Sequence, residues 1–275
     1  MKKVILFIAL VFAAHASMAQ RTAYHEQPEK LFNQGKEMFL EGNYTGAQDQ
    51  LLKFSAASND DYLKEEAAYM VAVSSFHLGN ENSGDILEAF LDTYPETIHR
   101  HELSFLIGSF HYDQKEWEEA RFWFNASDLD YLTLSQQEEY SFRNGYTQMQ
   151  LGNSEEARRY FGLLSRNSKT YQDAASFYLG YIDYSNGDYS VAMQRFERLR
   201  NHSEYAEEVA FYTAQSAFFD GKIEEAARLS EAFIQRYPAS KHQTEMYRVL
   251  GNSYYRLGQP SRAIPYYERY INATP

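Results

Sequence analysis

The sequence predicts an all-α protein built from repeated pairs of helices, and three observations carry that prediction. Small residues recur at a near-constant interval, a glycine follows seven residues after most of them, and alanine or glycine stands five beyond that. Counting the first of these as position 8 of a unit gives Gly35, Ala72, Gly108, Gly145, Gly180, Ala214 and Gly251. Position 15 holds Gly42, Gly79, Lys115, Gly152, Gly187, Gly221 and Gly258. Position 20 holds Ala47, Gly84, Ala120, Ala157, Ala192, Ala226 and Ala263. Every glycine in the chain except Gly46 and Gly162 falls on one of these positions. The units start near residues 28, 65, 101, 138, 173, 207 and 244.

Each position has a physical role in a helical pair. A glycine inside a helix costs about 1 kcal/mol relative to alanine, so position 8 implies that a neighbouring helix approaches too closely for a side chain. Position 15 is where the first helix ends on a left-handed residue, as in LEGNY at 40–44 and SNGDY at 185–189. Position 20 is the contact point of the second helix, completed four residues later by Leu51, Phe124, Phe161, Phe196 and Tyr267. Glu88 and Ser230 interrupt that set, and Leu87 and Leu229 are expected to fill the space instead. Pro95, Pro238 and Pro275 stop second helices.

The N-terminus MKKVILFIALVFAAHASMAQ reads as a secretory signal peptide. Lys2 and Lys3 precede an apolar run from Val4 to Ala14, and Ser17-Met18-Ala19 offers a cleavage site before Gln20. The run is too short to cross a bilayer core of roughly 30 Å. Cleavage between Ala19 and Gln20 leaves a tail at 20–27, a repeat region at 28–275 and a periplasmic or secreted product. Its formal charge is two units more negative than the −12 of the full chain. That charge argues against nucleic acid or an anionic membrane surface as partner. The chain contains no cysteine, which excludes disulfides and a lipidated N-terminal cysteine.

The run Leu250-Gly251-x-x-Tyr254, Gly258, Ala263, Tyr267, Pro275, with its six in-phase copies, resembles the tetratricopeptide repeat family over essentially all of 28–275. The resemblance implies a right-handed superhelix of about seven helix–turn–helix units, with the first helices lining a concave groove. The linkers YPETIHR (94–100) and YPASKHQ (237–243) resemble the envelope branch, which includes outer-membrane assembly lipoproteins and a Tol–Pal-associated division coordinator. This chain departs from those in having no lipid-accepting cysteine and no N-terminal coiled coil.

The family geometry places positions 2, 5, 9 and 12 in the groove, and spacings of 3, 4 and 3 do share one helical face. Position 5 gives Phe32, Tyr69, Phe105, Phe142, Phe177, Phe211 and Arg248, and position 12 gives Phe39, Phe76, Tyr112, Met149, Tyr184, Phe218 and Tyr255. Position 2 adds an acidic row that includes Glu102, Glu139, Glu208 and Glu245, and the variable position 9 adds Tyr146 and Tyr181. The expected occupant is an envelope protein or peptide segment, basic or neutral. Aromatic residues at these spacings also serve as ordinary packing between helices, and first-turn glutamates as ordinary helix-dipole partners.

No catalytic set, cofactor or metal site is expected. In His99-Arg100-His101-Glu102 the histidines are two apart and point to different sides of a helix. Glu118-Glu119, Glu138-Glu139 and Glu207-Glu208 diverge in the same way, and no glycine-rich phosphate loop follows a strand. Trp117 sits at the family's turn position, as packing. A scaffold for protein partners is therefore the expected function. The alternative is a glycan- or lipid-binding solenoid that uses Tyr178, Tyr181 and Tyr184 as stacking platforms. The last helix, AIPYYERYI at 263–271, is apolar on several sides. A solenoid end normally carries a polar cap, so self-association through this repeat, or a longer natural chain, is expected.

Overall fold

The computed structural model describes residues 28–273, and these are all-helical, with no strand among them. The expected signal peptide and cleavage site, the 20–27 tail and the expected stop at Pro275 lie outside the described residues. The helices fall into two compact units divided between Thr133 and Leu134.

The first unit holds α1 (28–40), α2 (Tyr44–Ala57), α3 (Asp61–His77), α4 (Ser83–Thr93), α5 (Arg100–Asp113) and α6 (Trp117–Ala126), followed by a 3-10 turn at Leu129–Tyr131. The second holds α7 (Leu134–Gln150), α8 (Ser154–Asn167), α9 (Gln172–Ser185), α10 (Tyr189–Leu199), α11 (Ala206–Phe219), α12 (Ile223–Arg236), α13 (Gln243–Arg256) and α14 (Pro260–Ala273). Within each unit the helices pack in consecutive order, as antiparallel pairs stacked side by side. Helices α4 and α12 end at Thr93 and Arg236, each two residues before a proline.

The turn between the helices of a pair is left-handed in all seven units. The position-15 glycines have φ between 69° and 85°, and Lys115 takes the same conformation at φ 63°. A non-glycine residue pays a steric cost there, which the neighbouring packing of α5 against α6 sustains.

Positions 8 and 24 fit one another reciprocally. A methyl group added to Gly108 would stand 2.7 Å from the ring of Phe124, at Gly180 2.6 Å from Phe196, and at Gly251 2.8 Å from Tyr267. Gly35 meets Leu51 at 2.6 Å in the same way, whereas Gly145 meets Tyr160 at 3.0 Å and Phe161 at 3.2 Å, a looser fit. The two units with alanine at position 8 (Ala72 and Ala214) are the two with no large apolar residue at position 24, where Glu88 and Ser230 stand. Leu87 does fill the space beside Glu88 and is fully buried. Leu229 does so only in part: it stays half-exposed but packs against the core of Phe211, Ala214 and Phe233, and Ser230 itself is fully buried with an unpartnered hydroxyl.

One buried charge ties three helices of the second unit. Asp183 on α9 is 2% exposed and accepts from Arg158 of α8 at 2.6 Å and Arg195 of α10 at 2.5 Å.

Candidate functional site

The position-5 rings that the spacing assigned to a groove are mostly structural. Phe32, Tyr69, Phe105, Phe177 and Phe211 are buried, and only Phe142 and Arg248 are half-exposed. The outer faces of four of these rings are covered by a ring the repeat pattern did not single out, two residues before the start of the following unit. His99 stacks on Tyr69 with centroids 3.6 Å apart, Tyr171 on Phe142 at 4.9 Å, Tyr205 on Phe177 at 5.2 Å and His242 on Phe211 at 3.9 Å. All four are N-cap residues of the next first helix, so the cap position delivers the ring across the junction. Such pairs contribute about 0.5–1.5 kcal/mol beyond simple burial.

The acidic row is likewise occupied within the protein. Glu66 bonds His99 at 2.9 Å, and Glu102 accepts from the hydroxyl of Tyr69 at 2.6 Å. Burial, and then the charge of Glu102, pushes the Tyr69 hydroxyl well above its ordinary pKa. Glu139 accepts from Arg143 at 2.8 Å. Glu208 faces both His242 at 2.7 Å and Lys241 at 2.8 Å; burial raises its pKa, but these two partners outweigh burial and hold it below the usual range. Across α9, α11 and α13, the Tyr184 hydroxyl donates to Gln215 at 2.5 Å, and Gln215 donates to Glu245 at 2.8 Å. Arg248 closes the chain by donating to both Glu245 oxygens, at 2.9 and 2.5 Å. Arg248, standing where the other units carry an aromatic residue, is thus paired with Glu245.

What stays accessible is position 12 and, in one place, a formed cleft. Phe39, Phe76, Tyr112, Tyr184 and Phe218 are half-buried, and Tyr255 is 66% exposed. The cleft, of about 490 Å³, lies within the second unit and is lined by Tyr146 and Met149 of α7, Phe177, Tyr178 and Tyr181 of α9, and Glu208 and Tyr212 of α11, with Glu204, Tyr205 and Lys241 from the linkers. It gathers four residues named from the spacing: Tyr146, Phe177, Tyr181 and Glu208. It leaves Phe142, Tyr184, Phe211, Phe218, Glu139, Glu245, Arg248 and Tyr255 outside its lining. Phe32, Phe39, Tyr69, Phe76, Phe105, Tyr112 and Glu102 belong to the first unit.

Tyr212 was missed, and Tyr178 entered only as a stacking platform of the glycan- or lipid-binding alternative, because both sit at position 6, one residue past the position-5 phenylalanine. Only the fifth and sixth units carry tyrosine there, and that was the available signal. Tyr212 meets Tyr181 edge-on at 5.3 Å, and Tyr178 meets Tyr146 edge-on at 5.3 Å. Burial first, then Tyr181 and Glu208, pushes Tyr212 up to about 12, so it stays neutral across the physiological range.

A family model described as tetratricopeptide repeat matches residues 142–206 and 213–275. Those two segments are tetratricopeptide repeats. Solved structures share the fold at low identity. A tetratricopeptide repeat protein from Parabacteroides merdae is 16% identical with a TM-score of 0.52, covering 91% of this chain and 94% of that one. Pseudomonas aeruginosa pilF is 17% identical with a TM-score of 0.53, covering 81% and 97%. The apo form of RapI is 12% identical with a TM-score of 0.60, covering 88% and 75%. No curated protein matches the chain. Tetratricopeptide repeats typically mediate protein–protein interaction. No helix among the described residues is long and apolar enough to cross a membrane, and no cluster of metal-ligating side chains occurs among them.

Proposed function

We propose that this chain is a non-enzymatic scaffold of the cell envelope, periplasmic after cleavage between Ala19 and Gln20, that holds an extended segment of another envelope protein in the tyrosine cleft. One observation carries the reading. Tyr146, Tyr181 and Tyr212 are half-exposed rings grouped over the buried Phe177. Tyrosine offers a large amphipathic contact area at low conformational cost, which is why it anchors so many protein interfaces. Met149 adds an adaptable apolar wall.

The pairing of Glu208 with Lys241 and His242, and of Glu245 with Arg248, removes most of the charge that the acidic row would present. A neutral segment therefore suits the cleft better than a strongly basic one. The same rings would also stack on a sugar, which is the alternative reading.

A photocrosslinking residue at Tyr181, with Arg159 on the exposed side of α8 as control, tests the proposal in the native envelope. A discrete protein adduct from Tyr181 that is absent from Arg159 is the expected result. Equal adducts from both, or none from either, would sink the scaffold reading. A response of tyrosine fluorescence to envelope polysaccharide without any protein adduct would select the glycan alternative.

A further inference from the structure

A second cavity, of about 280 Å³, opens on a different face of α11 from the cleft, between that helix, the end of α10 and α12. Its walls include Ala206, Val209 and Ala210 of α11 and Leu229 and Ala232 of α12. Around them stand Arg200, Arg228 and Arg236, against only Glu197 and Glu225. In a chain of net charge −12, three guanidinium groups around one apolar hollow are an anomaly.

The arginines are available to a ligand. Arg200 reaches Glu197 at 3.3 Å, but both side chains are 65% exposed, so the pair is nearly worthless in water. Arg228 and Glu225 are 4.0 Å apart, at the limit of an ion pair. Arg236 lies over the Tyr237 ring at 5.3 Å and has no carboxylate within ion-pair distance among the described residues.

The next unit shows what the hollow is shaped for. Tyr247 stands in α13 where Ala210 stands in α11, and Arg269 stands in α14 where Ala232 stands in α12. There the arginine lies over the tyrosine ring at 5.7 Å, so the chain fills that space with its own aromatic ring and cation. Both partners are reduced to alanine around the cavity. The geometry points to a binding site for a compact aromatic carboxylate, whose ring takes the place that a tyrosine takes one unit later and whose anion meets the arginines. Such a ligand is either a free aromatic acid or the C-terminal aromatic residue of a peptide. This inference does not depend on the tyrosine cleft or its partner.

The test uses 2-naphthoate and its neutral amide, 2-naphthamide, titrated into the full chain and read by calorimetry. Naphthoate is expected to bind at least about tenfold more tightly than the amide, the worth of one charge-assisted contact. Arg236→Gln, a surface change with little consequence for folding, is expected to weaken naphthoate by about tenfold. Ala232→Phe is expected to abolish binding by filling the hollow. Equal affinity of acid and amide, no binding of either, or naphthoate binding unchanged by Arg236→Gln would each overturn the site. Competition by acetyl-Gly-Phe with a free carboxylate, but not by its C-terminal amide, would support the site and assign it to a chain terminus. Naphthoate binding without that competition would support it and assign it to a free acid.

Discussion

Residues 134–273 carry a stacking ring at each of their three repeat junctions, through Tyr171, Tyr205 and His242. Residues 28–133 carry one at only the second of their two junctions, through His99, and Leu63 occupies the corresponding place at the first. Both units nevertheless keep the same close helix pairs and left-handed turns. The difference teaches that the pairs and the junctions are held by separate means. Glycine and alanine at positions 8 and 20 close each pair, whereas linker rings and shared polar groups join one pair to the next. In a solenoid, where stability is a sum of unit and nearest-neighbour terms, that separation sets where the molecule opens first.

The largest blow to the second unit should come from Asp183→Ala. It leaves Arg158 and Arg195 without their shared buried partner, and removal of one member of such a pair costs about 3–5 kcal/mol. Urea unfolding should show that loss in the second unit only; a change below about 1 kcal/mol would mean that the arginines relax into water. Next, Gly180→Ala and Gly108→Ala probe pair closure in the second and first units. Each drives a methyl group into a buried ring, at a cost of about 1–3 kcal/mol. Similar costs in both units would sustain the claim that pairs close alike, and a neutral result at either site would break it.

The junction rings come third. Tyr205→Ala and His242→Ala should each cost at least about 0.5–1.5 kcal/mol of stacking, and Leu63→Tyr should return up to that amount to the unit that lacks a ring there. Alkaline pH separates the two kinds of ring. Burial, then Glu204, pushes Tyr205 up to about 12, and burial, then Glu139, raises Tyr171. A folded pKa above the unfolded value of about 10 means stability that is complete below pH 10 and lost as pH climbs through about 12. Tyr205→Phe should remove part of that alkaline loss from melting curves taken between pH 9 and 12, while His242→Phe should leave it unchanged. The smallest effect is Lys115→Gly, which relieves a left-handed lysine and should gain about 0.5–1 kcal/mol; a loss would show that the lysine side chain is needed where it stands.

The helix pairs were legible because position 8, position 15 and position 20 answer to backbone geometry, which leaves few residue choices. The groove was harder to read. Phe105 and Tyr181 look equivalent as aromatic residues on the groove face of a first helix, yet one is buried and the other lines the cleft. What separates them is burial by neighbouring units, and a period within one unit does not encode that. Nor does the acidic row reveal that Glu208 will meet Lys241 and His242, more than thirty residues away.

The reciprocity between positions 8 and 24 has a consequence for how such a chain can change over generations. Replacing Gly108 alone overfills the space beside Phe124, and shrinking Phe124 alone hollows it. Either single step is a valley, and only the double exchange restores the fit that Ala214 and Ser230 already display. The two positions are therefore coupled in inheritance as well as in space. Repeats of this protein should diverge in matched steps across each helix pair, whereas an exposed ring such as Tyr255 can vary by itself.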